Sequence, residues 1–142
     1  MKKGKVVLAG GVFDVLHPGH IFFLEQAKKL GDVLVVVIAT DATVRRLKKR
    51  QPIYPAKARA RIVASLKPVD KVVIGSPHDK FAVVRRVKPD IIAFGYDQPM
   101  GDFACLRKEG IKLVRIRRRL NERIFKTSRI ITEMRKREHA HV

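Results

Sequence analysis

The chain of 142 residues has no tryptophan, two tyrosines and one cysteine, and it sets only 13 acidic side chains against 32 lysines and arginines. Each shortage excludes something. A lone Cys105 cannot form an intramolecular disulfide, which rules out a disulfide scaffold and suits a reducing compartment. No apolar run approaches the roughly 18 residues of a membrane span. Near the start the apolar run is only Val6 to Ala9, shorter than the apolar stretch of a signal peptide. A cytoplasmic protein with no membrane association is expected. The shortage of acids leaves a net charge of +19, which fits nucleic-acid binding, a polyanionic small substrate, or a solvated surface. Basic residues run along the whole chain, with dense clusters at 45–50, 115–119 and 135–137, and a spread-out excess is mostly solvated surface. A nucleic-acid-binding module is not favoured, because no helix-turn-helix, zinc-finger or aromatic RNA-binding pattern accompanies the charge.

What is present is a regular alternation. With 46% hydrophobic residues the chain is globular, and its length suits one domain spanning residues 1–142. Runs at 6–9, 33–39, 71–75, 90–95 and 112–116 are short and rich in valine and isoleucine, and the central ones are continuously apolar, as strands covered on both faces must be. Between them lie helical patterns at 19–30, 42–48, 57–66, 79–87 and 102–109, followed by a last helix from about residue 127 to 138. Gly31 is expected to stop the first helix and Asp41 to cap the second. Strands alternating with helices imply right-handed crossovers and a parallel sheet. The fold class is therefore α/β: a Rossmann-like, five-stranded, parallel, doubly wound sheet with helices on both faces. Such sheets bind ligands beyond the carboxyl ends of their strands, where strand order reverses. The longest irregular stretch, 48–55, holds Pro52 and Pro55 and is the candidate mobile loop.

The stretch GGVFDVLHPGH, residues 10 to 20, joins the first strand to the first helix at that carboxyl edge. Gly10 and Gly11 let the chain turn and let a ligand approach with no Cβ in the way. Pro18 suits a first helical turn because it has no N–H to lose. The free N–H groups of the helix face the same place, a ready site for phosphate, where two imidazoles can add hydrogen-bond donors. Two histidines are too few for a structural zinc site, so no metal ligand is assigned. A structural role, in which His17 or His20 only caps the turn, stays open. Asp14 is expected to bond N–H groups of its own turn.

This stretch resembles the signature of the HxGH nucleotidyltransferase superfamily, the cytidylyltransferase-like enzymes, through Gly10, Val12, Phe13, Asp14, His17, Gly19 and His20. The superfamily includes glycerol-3-phosphate cytidylyltransferases, pantetheine-phosphate adenylyltransferases and archaeal FAD synthases. The segment RQPIYPAKARARIVASLKPVDKVVIG (50–75) is most similar to the last group through Pro52, Pro55, Arg59 and the Ser65–Asp70 stretch. PDIIAFGYDQ (89–98) resembles the family's fourth strand and its end, and FKTSRI (125–130) its closing motif. The chain departs from the pattern at Val12, where the family has a hydroxyl residue, and at Lys126, where serine is common.

The resemblance implies nucleotidyl transfer, with AMP passing from ATP to FMN. The alternative within the superfamily is a CTP-dependent transfer to glycerol-3-phosphate or another phosphorylated acceptor. It assigns catalysis to His17, His20, Lys49 and Arg59, with Arg59 holding the acceptor phosphate and Lys48, Lys49 or Arg50 closing over the phosphates. It assigns nucleotide binding to Gly11, Val12, Phe13, His17, Pro18, Gly19, His20, Asp97, Arg119, Thr127 and Ser128. Mg²⁺ is expected on the nucleotide phosphates, and relatives suggest a homodimer. Tyr54 and Tyr96 are open to two readings, facing a ring of the acceptor or ordinary packing.

Overall fold

The five β-branched runs form five strands: β1 (Val6–Gly11), β2 (Val33–Ile38), β3 (Lys71–Ile74), β4 (Ile91–Phe94) and β5 (Lys112–Arg115). The computed structural model describes residues 4–117 and 127–140. Every strand pair is parallel, in the order β3-β2-β1-β4-β5. The chain therefore winds outward from β1 to β3, then crosses back to lay β4 on the other side of β1. The reversal of strand order falls between β1 and β4, at the carboxyl end of the residues that the signature follows.

Alternation along the strands divides the core into two layers. Val7, Ala9, Leu34, Val36, Ile91 and Ala93 face one side, where they pack with Leu24 and Ala27 of α1 (Pro18–Lys28) and Val63 of α3 (Ala56–Ala64). Leu8, Val35, Ile92 and Phe94 face the other, against Val83 and Val84 of α4 (Ala82–Val87) and Leu106 of a 3-10 helix at Gly101–Glu109. This two-sided cover is why the central strands read as unbroken apolar runs. The remaining helices are α2 (Asp41–Lys48) and α5 (Thr127–Ala140).

Several local expectations are corrected. Gly31 is not a left-handed helix stop; α1 ends at Lys28 with Lys29 still in right-handed backbone. Glycine is needed there because a Cβ would lie 2.8 Å from the Lys5 carbonyl oxygen and 2.7 Å from Val7 Cγ2. The cap of α2 is Thr40, whose Oγ1 accepts from the Thr43 N–H at 3.1 Å. Asp41 instead serves another helix, accepting from the Ala56 N–H at 3.0 Å and so starting α3, whose own cap position is a proline with no side-chain acceptor. Residues 102–109 wind as a 3-10 rather than an α-helix. The 48–55 stretch is not loose but bonded to the loop after β1 through Asp14.

At the amino edge of the sheet, three aspartates that immediately precede strands each accept from the backbone of a neighbouring strand. Asp32 takes the Lys5 N–H at 2.7 Å, Asp70 the Leu34 N–H at 2.7 Å and Asp90 the Val6 N–H at 2.8 Å. These bonds satisfy donors that the first ladder positions leave over.

Candidate active site

The loop from β1 to α1 is tightly specified by its own side chains. A Cβ at Gly11 would lie 2.8 Å from Phe13 Cε2, so Phe13 can fold back under the turn only because residue 11 is glycine. Phe13 and Val15 both take left-handed backbone, with φ of 50° and 55°. For non-glycine residues, and a β-branched one above all, that conformation is strained and persists only when its surroundings hold it. The buried Phe13 ring meets His20 edge to face at a centroid distance of 5.4 Å.

The clamp on this loop is Asp14, which is buried. Its carboxylate accepts from the Ile53 N–H at 2.7 Å and the Tyr54 N–H at 3.0 Å, and pairs with Arg50 at 3.0 Å. Burial pushes its pKa up, but the two N–H groups and the Arg50 guanidinium outweigh that and hold the carboxyl below its ordinary range.

The two histidines cap the helix for each other. His17 is the N-cap of α1, in extended backbone, and its Nδ1 accepts from the Gly19 N–H at 3.1 Å. The His17 N–H in turn donates to His20 Nδ1 at 3.3 Å. This is the reciprocal arrangement that a serine and a glutamate usually make at this spacing. Pro18 fills the first helical position. The rings stack with centroids 3.7 Å apart and planes 23° from parallel. An Nδ1 that accepts carries no proton, so each neutral ring bears its hydrogen on Nε2. Burial lowers the pKa of His17; burial and the nearby charge of His17 lower that of His20 to about 3. The pair is therefore neutral at neutral pH, with two Nε2–H donors beside the positive end of α1.

The β4 side of the strand-order reversal is fastened through Gln98. Its Nε2 donates to the Gly10 carbonyl at 2.9 Å and its Oε1 accepts from the Gly95 N–H at 2.7 Å. One side-chain amide thus bridges β1 and β4 where strand order reverses. Arg115, at the end of β5, draws in the carbonyls of Gly95, Tyr96 and Gln98 at 2.9, 3.1 and 2.8 Å. Asp97 stands exposed on the loop so held. Among the described residues, no three His, Cys, Asp or Glu side chains converge to hold a metal ion.

A family model described as cytidylyltransferase-like matches residues 8–139. The chain belongs to that family. It is 52% identical over 134 residues to the FAD synthase of Thermococcus onnurineus, covering 88% of this chain and 87% of that one. It is 48% identical to the FAD synthase of Thermococcus kodakarensis, covering 92% of both. Among solved structures, the lipopolysaccharide core biosynthesis protein of Thermoplasma volcanium is 42% identical, with a TM-score of 0.77 over 84% of this chain and 100% of that one.

Of the residues expected at the site, Gly11, Val12, Phe13, His17, Pro18, Gly19 and His20 form one continuous turn and helix start. Asp97 comes from the far side of the strand-order reversal. Lys49 is the exposed left-handed residue that ends α2, one position before Arg50. Arg59 departs from its expected role. It is fully buried, and its guanidinium donates to the carbonyls of Tyr54, Val12 and Ala39 at 2.9, 2.8 and 2.8 Å and to Asp41 at 2.7 Å. It ties four segments together behind the site instead of facing an acceptor phosphate. Arg119 and the side chains of Thr127 and Ser128 lie outside the described residues. Sequence reasoning assigned no role to Gln98 or Arg115. Gln98 sits in the quoted GYDQ segment, and its place at the end of a central strand was the only available signal.

Proposed function

We propose that this protein is an FMN adenylyltransferase, an FAD synthase, and that residues 1–142 form one catalytic domain. The stacked, reciprocally capping histidine pair at the N-terminus of α1 carries the chemical half of that reading. The FAD synthases that share about half of its residues over most of its length carry the substrate half.

In the reaction an oxygen of the FMN phosphate bonds to the α-phosphorus of ATP. The bond from that phosphorus to the oxygen bridging the β-phosphate breaks, and pyrophosphate leaves with the negative charge. The nucleophile is already anionic, so no side chain needs to activate it; alignment and charge stabilisation are the protein's task. His17 and His20 donate from Nε2 to oxygens of the α- and β-phosphates, where charge builds as the bond breaks. Their neutrality suits this role, since a ring that gave up its Nδ1 acceptor on protonation would lose its grip on the backbone.

Gly11 and Val12 carry the nucleotide along the backbone, with Phe13 supporting His20 from below, Pro18 and Gly19 shaping the helix mouth, and Asp97 meeting the ribose or base. Thr127 and Ser128, at the head of α5, take the outer phosphates, with Arg119 and Lys49 adding positive charge. Mg²⁺ on the triphosphate neutralises part of its charge when bound.

The test is pyrophosphate release from four mixtures: ATP or CTP with FMN or glycerol-3-phosphate, each with Mg²⁺. Release from ATP with FMN alone is expected. Release only from the CTP mixtures overturns the reading.

A further inference from the structure

We propose that Ile53 and Tyr54 form the platform on which the planar ring of the acceptor lies; this rests on the FMN adenylyltransferase reading above. The two residues present a contradiction as ordinary surface. Ile53 is 54% exposed and Tyr54 is 45% exposed, yet the backbone beneath them is fastened to buried charged side chains. Both N–H groups are bonded to the Asp14 carboxylate, and the Tyr54 carbonyl is bonded to Arg59. Asp14 and Arg59 are the buried charged residues of the described chain. Burying charge is costly unless it is paired and hydrogen-bonded, and the bonds that satisfy Asp14 and Arg59 hold this connection as well as the loop after β1. Here the anchor fixes where two apolar side chains project.

The position points to the acceptor. Asp14 lies between Phe13 and His17 in the phosphate-facing loop, and Arg59 bonds Val12 and Tyr54 at once. The backbone that carries the platform is therefore tied directly to the phosphate-facing loop. The end of α2, from which this connection leaves, carries the exposed cations Lys48 and Lys49. An apolar pair adjoining positive charge matches a molecule that is a flat ring at one end and a phosphate monoester at the other. The chain has no tryptophan and one other tyrosine, Tyr96, whose loop is held on the β4 side by Arg115. Stacking on an aromatic face is the general way a protein holds a planar heterocycle, and alanine substitution at such faces weakens binding roughly 5- to 100-fold.

The experiment compares the wild-type protein with Tyr54→Ala and Tyr54→Phe, using ATP, FMN and Mg²⁺. Tyr54→Ala is expected to raise KM for FMN roughly 5- to 100-fold while changing kcat and KM for ATP far less. Quenching of FMN fluorescence on binding should be lost in the alanine variant, and Tyr54→Phe should restore both properties. If wild-type protein makes FAD and Tyr54→Ala keeps its KM for FMN and its quenching, the platform is wrong and the adenylyltransferase reading stands. A change in molecular mass by light scattering, with KM for FMN unmoved, makes Tyr54 a self-association residue and also overturns the proposal. If wild-type protein releases no pyrophosphate from ATP with FMN, the reading beneath it fails instead.

Discussion

The two edges of the sheet solve the same problem with opposite charges. At the amino edge the groups left over are N–H donors, and Asp32, Asp70 and Asp90 accept from them. At the carboxyl edge the groups left over include carbonyl oxygens. There Arg59 donates to Val12 and Ala39, Arg115 to Gly95, Tyr96 and Gln98, and Gln98 to Gly10. Since all strands run the same way, the backbone calls for acceptor side chains at one edge and donor side chains at the other. Two acids of the carboxyl side, Asp14 and Asp41, are paired with Arg50 and Arg59, while Asp97 stands exposed there.

That contrast can be broken from either edge. The largest stability loss is expected for Arg59→Met, which strips the donor from three carbonyls and leaves Asp41 without its partner. The loss should be about 3–5 kcal/mol, read by urea or thermal unfolding. His20→Ala should cut pyrophosphate release by about 10² to 10³ and cost only about 1 kcal/mol of stability through the lost cap, a melting shift of a few degrees. A fall in melting temperature as large as that of Arg59→Met would reduce His20 to a structural cap.

The pH dependence sharpens the same point. In the unfolded chain His20 takes up a proton below its ordinary pKa of 6.5, but in the folded chain only near pH 3. The unfolded state binds more protons in between, so wild-type stability falls as pH drops through that window. His20→Gln keeps an acceptor for the His17 N–H and does not titrate. Its melting temperature should therefore decline less than that of the wild type between pH 6.5 and pH 4. The smallest effect belongs to the amino edge: Asp90→Ala removes the bond to the Val6 N–H for about 1 kcal/mol and should leave turnover unchanged. Altered turnover there would show that the two edges are not independent.

The strands were legible because a buried parallel strand has a pattern few other elements share. The loop from Gly10 to His20 was legible because glycine, proline and paired imidazoles each have a definite use at a strand-to-helix junction. The charged anchors were not. With 32 lysines and arginines in the chain, nothing in spacing says which one turns inward, and Arg59 was assigned to a phosphate when it points into the protein. Asp14 finds its partners 36 to 40 residues away, beyond what local reasoning reaches. Asp41 sits one residue late to cap its own helix and instead begins the next, 15 residues on, which local spacing does not reveal.

The mutual capping of His17 and His20 has a consequence for anyone wishing to re-purpose this scaffold. On the proposed function each imidazole is at once a tool and a fastener, so exchanging one alone disturbs the mouth of the helix along with the chemistry. The two must be swapped together, for a pair that still trades one amide hydrogen in each direction; serine at 17 with glutamate at 20 is the natural choice. Such a double exchange separates what the native chain has merged, leaving a correctly shaped but inert cradle into which a different transfer could be built.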